Sequence, residues 1–223
     1  MIKKDIKFCA SINVLGFVLT FVAGWIDAFA LYVFFNENIS FMTGRIAKLG
    51  KEIFEGDVKD IKSLLFIIVF FIMGACLSAC VTGRKGLSVG LYLSGGAVIL
   101  TAVAMVFLNS KADVIFLVAI PFSMGAQNAA TSLTPIGRTT HLTGPITDIG
   151  IGIAKGNWRV VLFWCIRFSA FVFGTVASHY VITCIYNKPS LLPLTMFVPG
   201  LVIILTGLLQ RRAVDIPLLE NKA

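Results

Sequence analysis

A few polar residues stand out in this chain because almost nothing around them is polar. Asp27 is the one charged residue in the apolar run 8–36, FCASINVLGFVLTFVAGWIDAFALYVFFN. Gln127 and Asn128 sit side by side in the charge-free run Val114–Gly137, and Arg167 interrupts the run Val160–Asn187. Two further segments carry Thr-Gly: ISFMTGRIAKLG at 39–50, with Thr43, Gly44 and Arg45, and TTHLTGPITDIG at 139–150, with Thr143, Gly144 and Asp148. These residue types fit recognition of a polar solute better than bond-making. A carboxylate inside an apolar span is costly and usually faces a cavity, a bundle interior or a partner. Threonine is an acceptable N-cap, glycine permits close backbone approach, and Pro145 suits a first helical turn. A short helix is therefore expected to begin near Gly144 and another near Gly44. Their free N–H groups favour an anion or a polar substrate.

The expected solute-binding set is Asp27, Thr43, Gly44, Gln127, Asn128, Thr143, Gly144 and Asp148. Each has a plainer alternative. Asp27 is either a proton- or cation-coupled site or the partner of Arg45 or Lys48. Arg167 pairs with Asp148, or snorkels to the interface. Gln127 and Asn128 either line a polar site or make interhelical hydrogen bonds. The coupling or ion-pair candidates are thus Asp27, Arg45, Asp148 and Arg167. Two histidines, His141 and His179, lie in different segments and make a poor metal set. The five cysteines contain no C-x-x-C pair, so neither a zinc site nor a disulfide framework is indicated. H-E-x-x-H, G-x-S-x-G and P-loop motifs are absent. The expectation is no catalytic residue, no metal, no cofactor and no enzymatic activity.

The elements that must position these residues follow from composition. The 223 residues are 57% hydrophobic and 13% charged, against about 45–50% and about 25% in ordinary globular domains. Ser63–Gly83, Gly86–Ser110, Val114–Gly137 and Pro189–Gln210 hold no Asp, Glu, Lys or Arg. Each can cross a hydrocarbon core as a helix of roughly 20 residues. With Phe8–Asn36 and Val160–Asn187 they make six expected spans in one membrane domain, 1–223. The net charge of +8 belongs mostly to segments between and beside spans, so it reads as an orientation signal and not as a nucleic-acid surface. With the N-terminus inside, eleven Lys and Arg fall inside and seven outside, which favours N-in and C-in.

Sliding the chain by 100 residues aligns Thr43/Thr143, Gly44/Gly144, Gly50/Gly150, Gly56/Gly156, Phe71/Phe171, Gly74/Gly174 and Ser78/Ser178. It also sets Gln127 opposite Asp27. Three spans per half invert the second half, giving an all-α polytopic protein built as a 3+3 inverted repeat. Repeat A covers about 8–110 and repeat B about 111–210, followed by a short polar tail, 211–223. Interrupted or re-entrant segments are expected after the first and fourth helices, the pattern by which secondary transporters build sites.

AGWIDAFAL at 23–31, MGAQNAATS at 124–132 and the two Thr-Gly segments resemble the YoaK family, also called DUF1275. The resemblance spans nearly the whole chain. It implies a small bacterial integral membrane protein of the cytoplasmic (inner) membrane, with Gly24, Asp27, Thr43-Gly44, Gln127-Asn128 and Thr143-Gly144 at the family's motif positions. Arg45 stands where the family often has Asn. The family supplies no function. A small transporter or permease for a polar or anionic solute is the leading expectation, and a non-transporting scaffold or accessory subunit is the alternative. The expected partners are the lipid bilayer and the solute, and a homodimer is an arrangement to test.

Overall fold

The structure is a computed structural model that describes residues 2–32, 41–108, 112–185, 187–213 and 216–219. The end of the first expected span at Asn36, Ile39 and Ser40 of the first Thr-Gly segment, Lys111 and Lys222 lie outside the described residues. The described chain is helical: α1 (Ile2–Ala30), α2 (Met42–Glu55), α3 (Val58–Lys85), α4 (Leu87–Phe107), α5 (Ala112–Ser132), α6 (Thr143–Ala154), α7 (Trp158–Ile185) and α8 (Leu194–Ala213). Among the described residues, five segments are long and apolar enough to cross a membrane: Ser11–Ala30, Val58–Lys85, Leu87–Phe107, Trp158–Ile185 and Leu192–Arg211. This is a helical membrane protein. The sixth expected span, α5, does not meet that criterion. It carries Gln127 and Asn128 and lies in the bundle interior, with Phe116, Ile120, Met124 and Gln127 fully buried. Neighbouring helices cover it, so it has little need of a greasy outer face.

Two long pairings frame the bundle, α1 against α7 and α3 against α5. Both depend on glycine. A side chain at Gly24 would collide with the Phe171 carbonyl, and one at Gly174 with the Phe21 carbonyl. Across the other pairing, Gly125 meets the Phe71 carbonyl and Gly74 meets the Phe122 carbonyl. Small residues let helix backbones approach in this way, and in lipid it is such packing, and not apolar burial, that drives helix association. Ser78 and Ser178, the partners of Gly74 and Gly174 in the G-x-x-x-S pairs, are fully buried. The outward faces of α3 and α7 show Phe66, Ile72, Leu77, Leu162, Phe173 and Val176, as lipid contact requires.

The helical hairpins α2–α3 and α6–α7 share one turn. Gly56 (φ 78°) and Gly156 (φ 66°) adopt the left-handed conformation in which glycine meets no Cβ penalty. Asp57 then caps α3, its carboxylate accepting from the N–H groups of Lys59 at 3.0 Å and Asp60 at 3.1 Å. Asn157 stands at the same place before α7, its Oδ1 accepting from Val160 N–H at 3.4 Å. Leu91 lies in α4, while Leu191, 100 residues later, lies in a 3-10 turn, Pro189–Leu191, that precedes α8.

The seams closing the bundle are unlike. Between α4 and α5, the Ser94 hydroxyl donates to the Ser123 carbonyl and the Ser123 hydroxyl to the Ser94 carbonyl, both at 3.0 Å. Between α1 and α8 lies an apolar groove of about 290 Å³, lined by residues such as Phe17, Phe21, Val198 and Val202. Trp25 Nε1 bridges that seam to the Thr195 carbonyl at 2.8 Å. The carbonyl is available because Pro199, inside α8, has no N–H to return to it. Residues 216–219 revise the expectation of a polar tail. Ile216 is buried in the main core, and Leu219 N–H donates to the Leu133 carbonyl at 2.8 Å.

Candidate functional site

Helices α2 and α6 begin within two residues of the expected positions, but threonine caps neither. The N-cap residues are Phe41 and Leu142, and no side chain closes either helix start. Thr43 and Thr143 lie inside the first turns, where the Thr143 carbonyl accepts from the Thr147 hydroxyl at 3.1 Å. Pro145 is in the first turn of α6, as expected, and is buried.

Both first turns open onto the same space. A cavity of about 510 Å³ is lined by Asp27 of α1, Phe41, Met42 and Thr43 at the start of α2, and Leu142, Thr143 and Gly144 at the start of α6. Phe71, Phe171, Arg138, His141 and Ile146 complete it. Asp27 is 4% exposed and engaged with its surroundings. A second cavity of about 880 Å³ adjoins the first and shares Arg138, His141 and Gly144 with it. Asn128, Thr147, Asp148 and Trp164 line this second chamber. Residues 133–142 thus form the partition between the two.

The partition is tied to the helices behind it. Gln127 is fully buried, and its Nε2 donates to the Leu19 carbonyl at 2.9 Å and the Thr139 hydroxyl at 3.0 Å. Thr131 Oγ1 stands 3.2 Å from Thr139 Oγ1. Gln127 therefore braces α1, α5 and the partition together and lines neither cavity. Asn128 Nδ2 lies 3.3 Å from His141 Nε2, a bond that a neutral imidazole accepts. Burial lowers the pKa of His141, and the charge of Arg138 adds to the effect.

Glycine shapes both helix starts, differently. A Cβ at Gly44 would collide with the Phe41 ring, so the ring lies folded over the first turn of α2. A Cβ at Gly144 would stand 3.3 Å from Arg138 Nη1, so a guanidinium approaches the first turn of α6. One helix start is shielded by a phenyl ring and the other is flanked by a positive charge.

Two expectations change. Close packing sets Gly24 and Gly125 in matching roles, against Phe171 and Phe71. That register aligns GWIDA with GAQNA, and Asn128, not Gln127, stands opposite Asp27. Arg167 does not pair with Asp148. Fully buried, it donates from Nη2 to the Ile12 carbonyl at 3.1 Å and lies 4.8 Å over the Phe163 ring, in space left by Gly16. Asp148 lines the second cavity instead. Arg45 is buried on α2, and Lys48 pairs with Asp60 at 3.3 Å.

Residues not anticipated at the site are Arg138, Phe41, Phe71, Phe171 and Trp164. Arg138 had a visible signal, as the sole charged residue between Asp113 and Asp148. Phe71 and Phe171 were already a matched pair in the 100-residue slide.

The family described as "Protein of unknown function (DUF1275)" matches residues 15–209. No curated protein and no solved structure matches the chain.

Proposed function

We propose a function for a chain that belongs to the DUF1275 family: it is a small secondary transporter that moves a polar solute through the cavity beside Asp27. The observation that carries this reading is that Asp27 and the first turns of two short helices line one cavity. Secondary transporters place half-helix N-termini and intramembrane polar residues around a midplane site in this way. In this reading α2 and α6 are re-entrant half-helices entering from opposite faces. The six long helices form a 3+3 inverted repeat in which α1–α4 correspond to α5–α8.

Support for the repeat comes from the cavity lining. Phe41 and His141, Met42 and Leu142, Thr43 and Thr143, and Phe71 and Phe171 all contribute to it, and each pair is 100 residues apart. A cavity on a pseudo-two-fold axis would be lined by such pairs. The matched glycine crossings, Gly24 and Gly174 on one side and Gly125 and Gly74 on the other, point the same way. Both termini then lie in the cytoplasm of a bacterial inner-membrane protein, consistent with the Lys and Arg bias. The second cavity becomes the cytoplasmic vestibule.

Uptake into proteoliposomes against a panel of small polar solutes tests the reading. Wild-type protein accumulates at least one solute. Asp27→Asn abolishes that uptake while the Tm in detergent stays within a few degrees. Unchanged uptake by the variant removes Asp27 from the mechanism, and no uptake of any solute by wild type removes the transport reading.

A further inference from the structure

We infer that the groove between α1 and α8 is a binding site for one acyl chain of a bilayer phospholipid. The inference goes beyond the transport reading and does not depend on it. It starts from two seams that glycine contacts place in matching positions. Gly95 of α4 and Gly200 of α8 face each other, a Cβ on either one meeting the other's carbonyl. Gly24 of α1 and Gly125 of α5 stand against the Phe171 and Phe71 carbonyls in the same way. Carried along each helix, these matches make Ser94 of α4 the counterpart of Pro199 of α8, and Ser123 of α5 the counterpart of Val22 of α1.

The α4–α5 seam is closed by the reciprocal bonds of those two serines. Their counterparts, Val22 and Pro199, have no hydroxyl to exchange, and both line the groove. One seam is therefore locked by side chains, and the other carries a groove of about 290 Å³ at the same place.

The walls decide what fits. Every lining side chain is apolar except for the Trp25 indole N–H, which already donates to the Thr195 carbonyl at 2.8 Å. A polar solute entering would lose its hydration without gaining a hydrogen bond. A helix with its side chains is about 10–12 Å across, too thick for a groove of this volume, so neither a second copy nor a partner helix seats in it. A single hydrocarbon chain is slender enough. Bilayer lipid also has direct access. Val198, on the groove wall, is 52% exposed, and Val14, one turn from Phe17 and Val18, is 62% exposed. Phe17, Val18, Phe21 and Trp25 form a half-buried stripe on α1, while Leu19, Ala23 and Ile26 behind it are fully buried. The groove is thus continuous with the lipid-facing surface. A chain lying in it gains dispersion contacts from two walls, where a chain on an open helix face gains them from one.

Trp25 lines the groove, so contact quenching tests the inference. The full chain carrying Trp158→Phe and Trp164→Phe keeps Trp25 as its one tryptophan. It is reconstituted in phosphatidylcholine bilayers mixed with analogues brominated near the middle or near the end of the acyl chain, whose bromines quench an indole on contact. At least one analogue should remove more than half of the Trp25 emission, along the saturation curve of a single site. Val202→Phe fills the groove from the α8 side and should cut that quenching by half or more. Val14→Phe, on the exposed surface outside the groove, should leave it unchanged. If Val202→Phe does not fold, Val18→Phe fills the groove from the α1 side in its place. Equal quenching in the groove-filled and Val14→Phe proteins means that Trp25 meets only the general lipid layer, and overturns the inference. Failure of both analogues to quench overturns it too. So does a loss of quenching as the protein is concentrated in the bilayer, which assigns the groove to a second copy of the chain.

Discussion

The start of α2 and the start of α6 are built on one plan and finished with opposite chemistry. Each is a helix opening without a side-chain cap, with Thr-Gly in its first turn, facing the same cavity. At the α2 start a phenyl ring lies on the glycine; at the α6 start a guanidinium does. The helices behind them differ in the same sense, with Asp27 in α1 and Asn128 in α5. The shared plan resides in glycine and backbone, and the difference resides in side chains that touch the cavity. Packing constrains the first group and chemistry the second.

The largest expected effect tests the shared plan. Gly174→Leu forces a side chain into the Phe21 carbonyl, and Gly74→Leu does the same at Phe122. Overpacking of this kind costs about 3 kcal/mol or more, so both variants should lose most of their folded yield by size-exclusion chromatography. Equal losses support equal roles; a loss at one crossing alone breaks the comparison. Gly50→Ala, with open space around it, serves as the control and should leave Tm unchanged or slightly raised.

Next in size is the chemical difference. Arg138→Gln should weaken ligand binding by about tenfold or more, the scale of a lost charge-assisted hydrogen bond, with little change in Tm because the side chain is exposed.

A smaller effect concerns the seams. Trp25→Phe removes the bond to the Thr195 carbonyl and should cost about 1 kcal/mol, read as a modest drop in Tm. Ser94→Ala at the opposite seam loses two hydroxyl contacts and should cost a similar amount.

The smallest is a pH effect. His141 has a lowered folded pKa, so its neutral form is favoured in the folded state. The corresponding stability is fully present above the unfolded value of about 6.5 and is lost as pH falls through the folded value. His141→Gln should flatten the acid side of the Tm–pH curve below about pH 6.5 and leave the neutral side unchanged.

Much of the fold was legible because lipid imposes simple demands. Charge-free runs marked the long helices, while Gly56 and Gly156, seen in sequence only as an aligned pair, prove to hold the turns that return each short helix into a long one. α5 was the exception in hydropathy, since covering by α3 and α4 substitutes for apolar composition. The site was legible where residue type alone signals trouble, as with Asp27 in a greasy run. It was illegible where rotation about a helix decides. Adjacent side chains point about 100° apart, and only the packing of Gly24 and Gly125 shows that Gln127 braces while Asn128 lines. Arg167 looked like a partner for Asp148 because both lay on one side of the membrane in sequence terms. Which way a long side chain turns depends on the room at Gly16, a feature of a helix some 150 residues earlier in the chain.

The three tryptophans occupy three different settings. Trp25 reaches across the α1–α8 seam, Trp164 lines the second cavity, and Trp158 is 67% exposed on an outer surface. The protein therefore carries its own optical gauges. With Trp158 and Trp164 replaced by Phe, the emission wavelength of Trp25 reads the seam alone, and rupture of its bond to Thr195 would shift that emission.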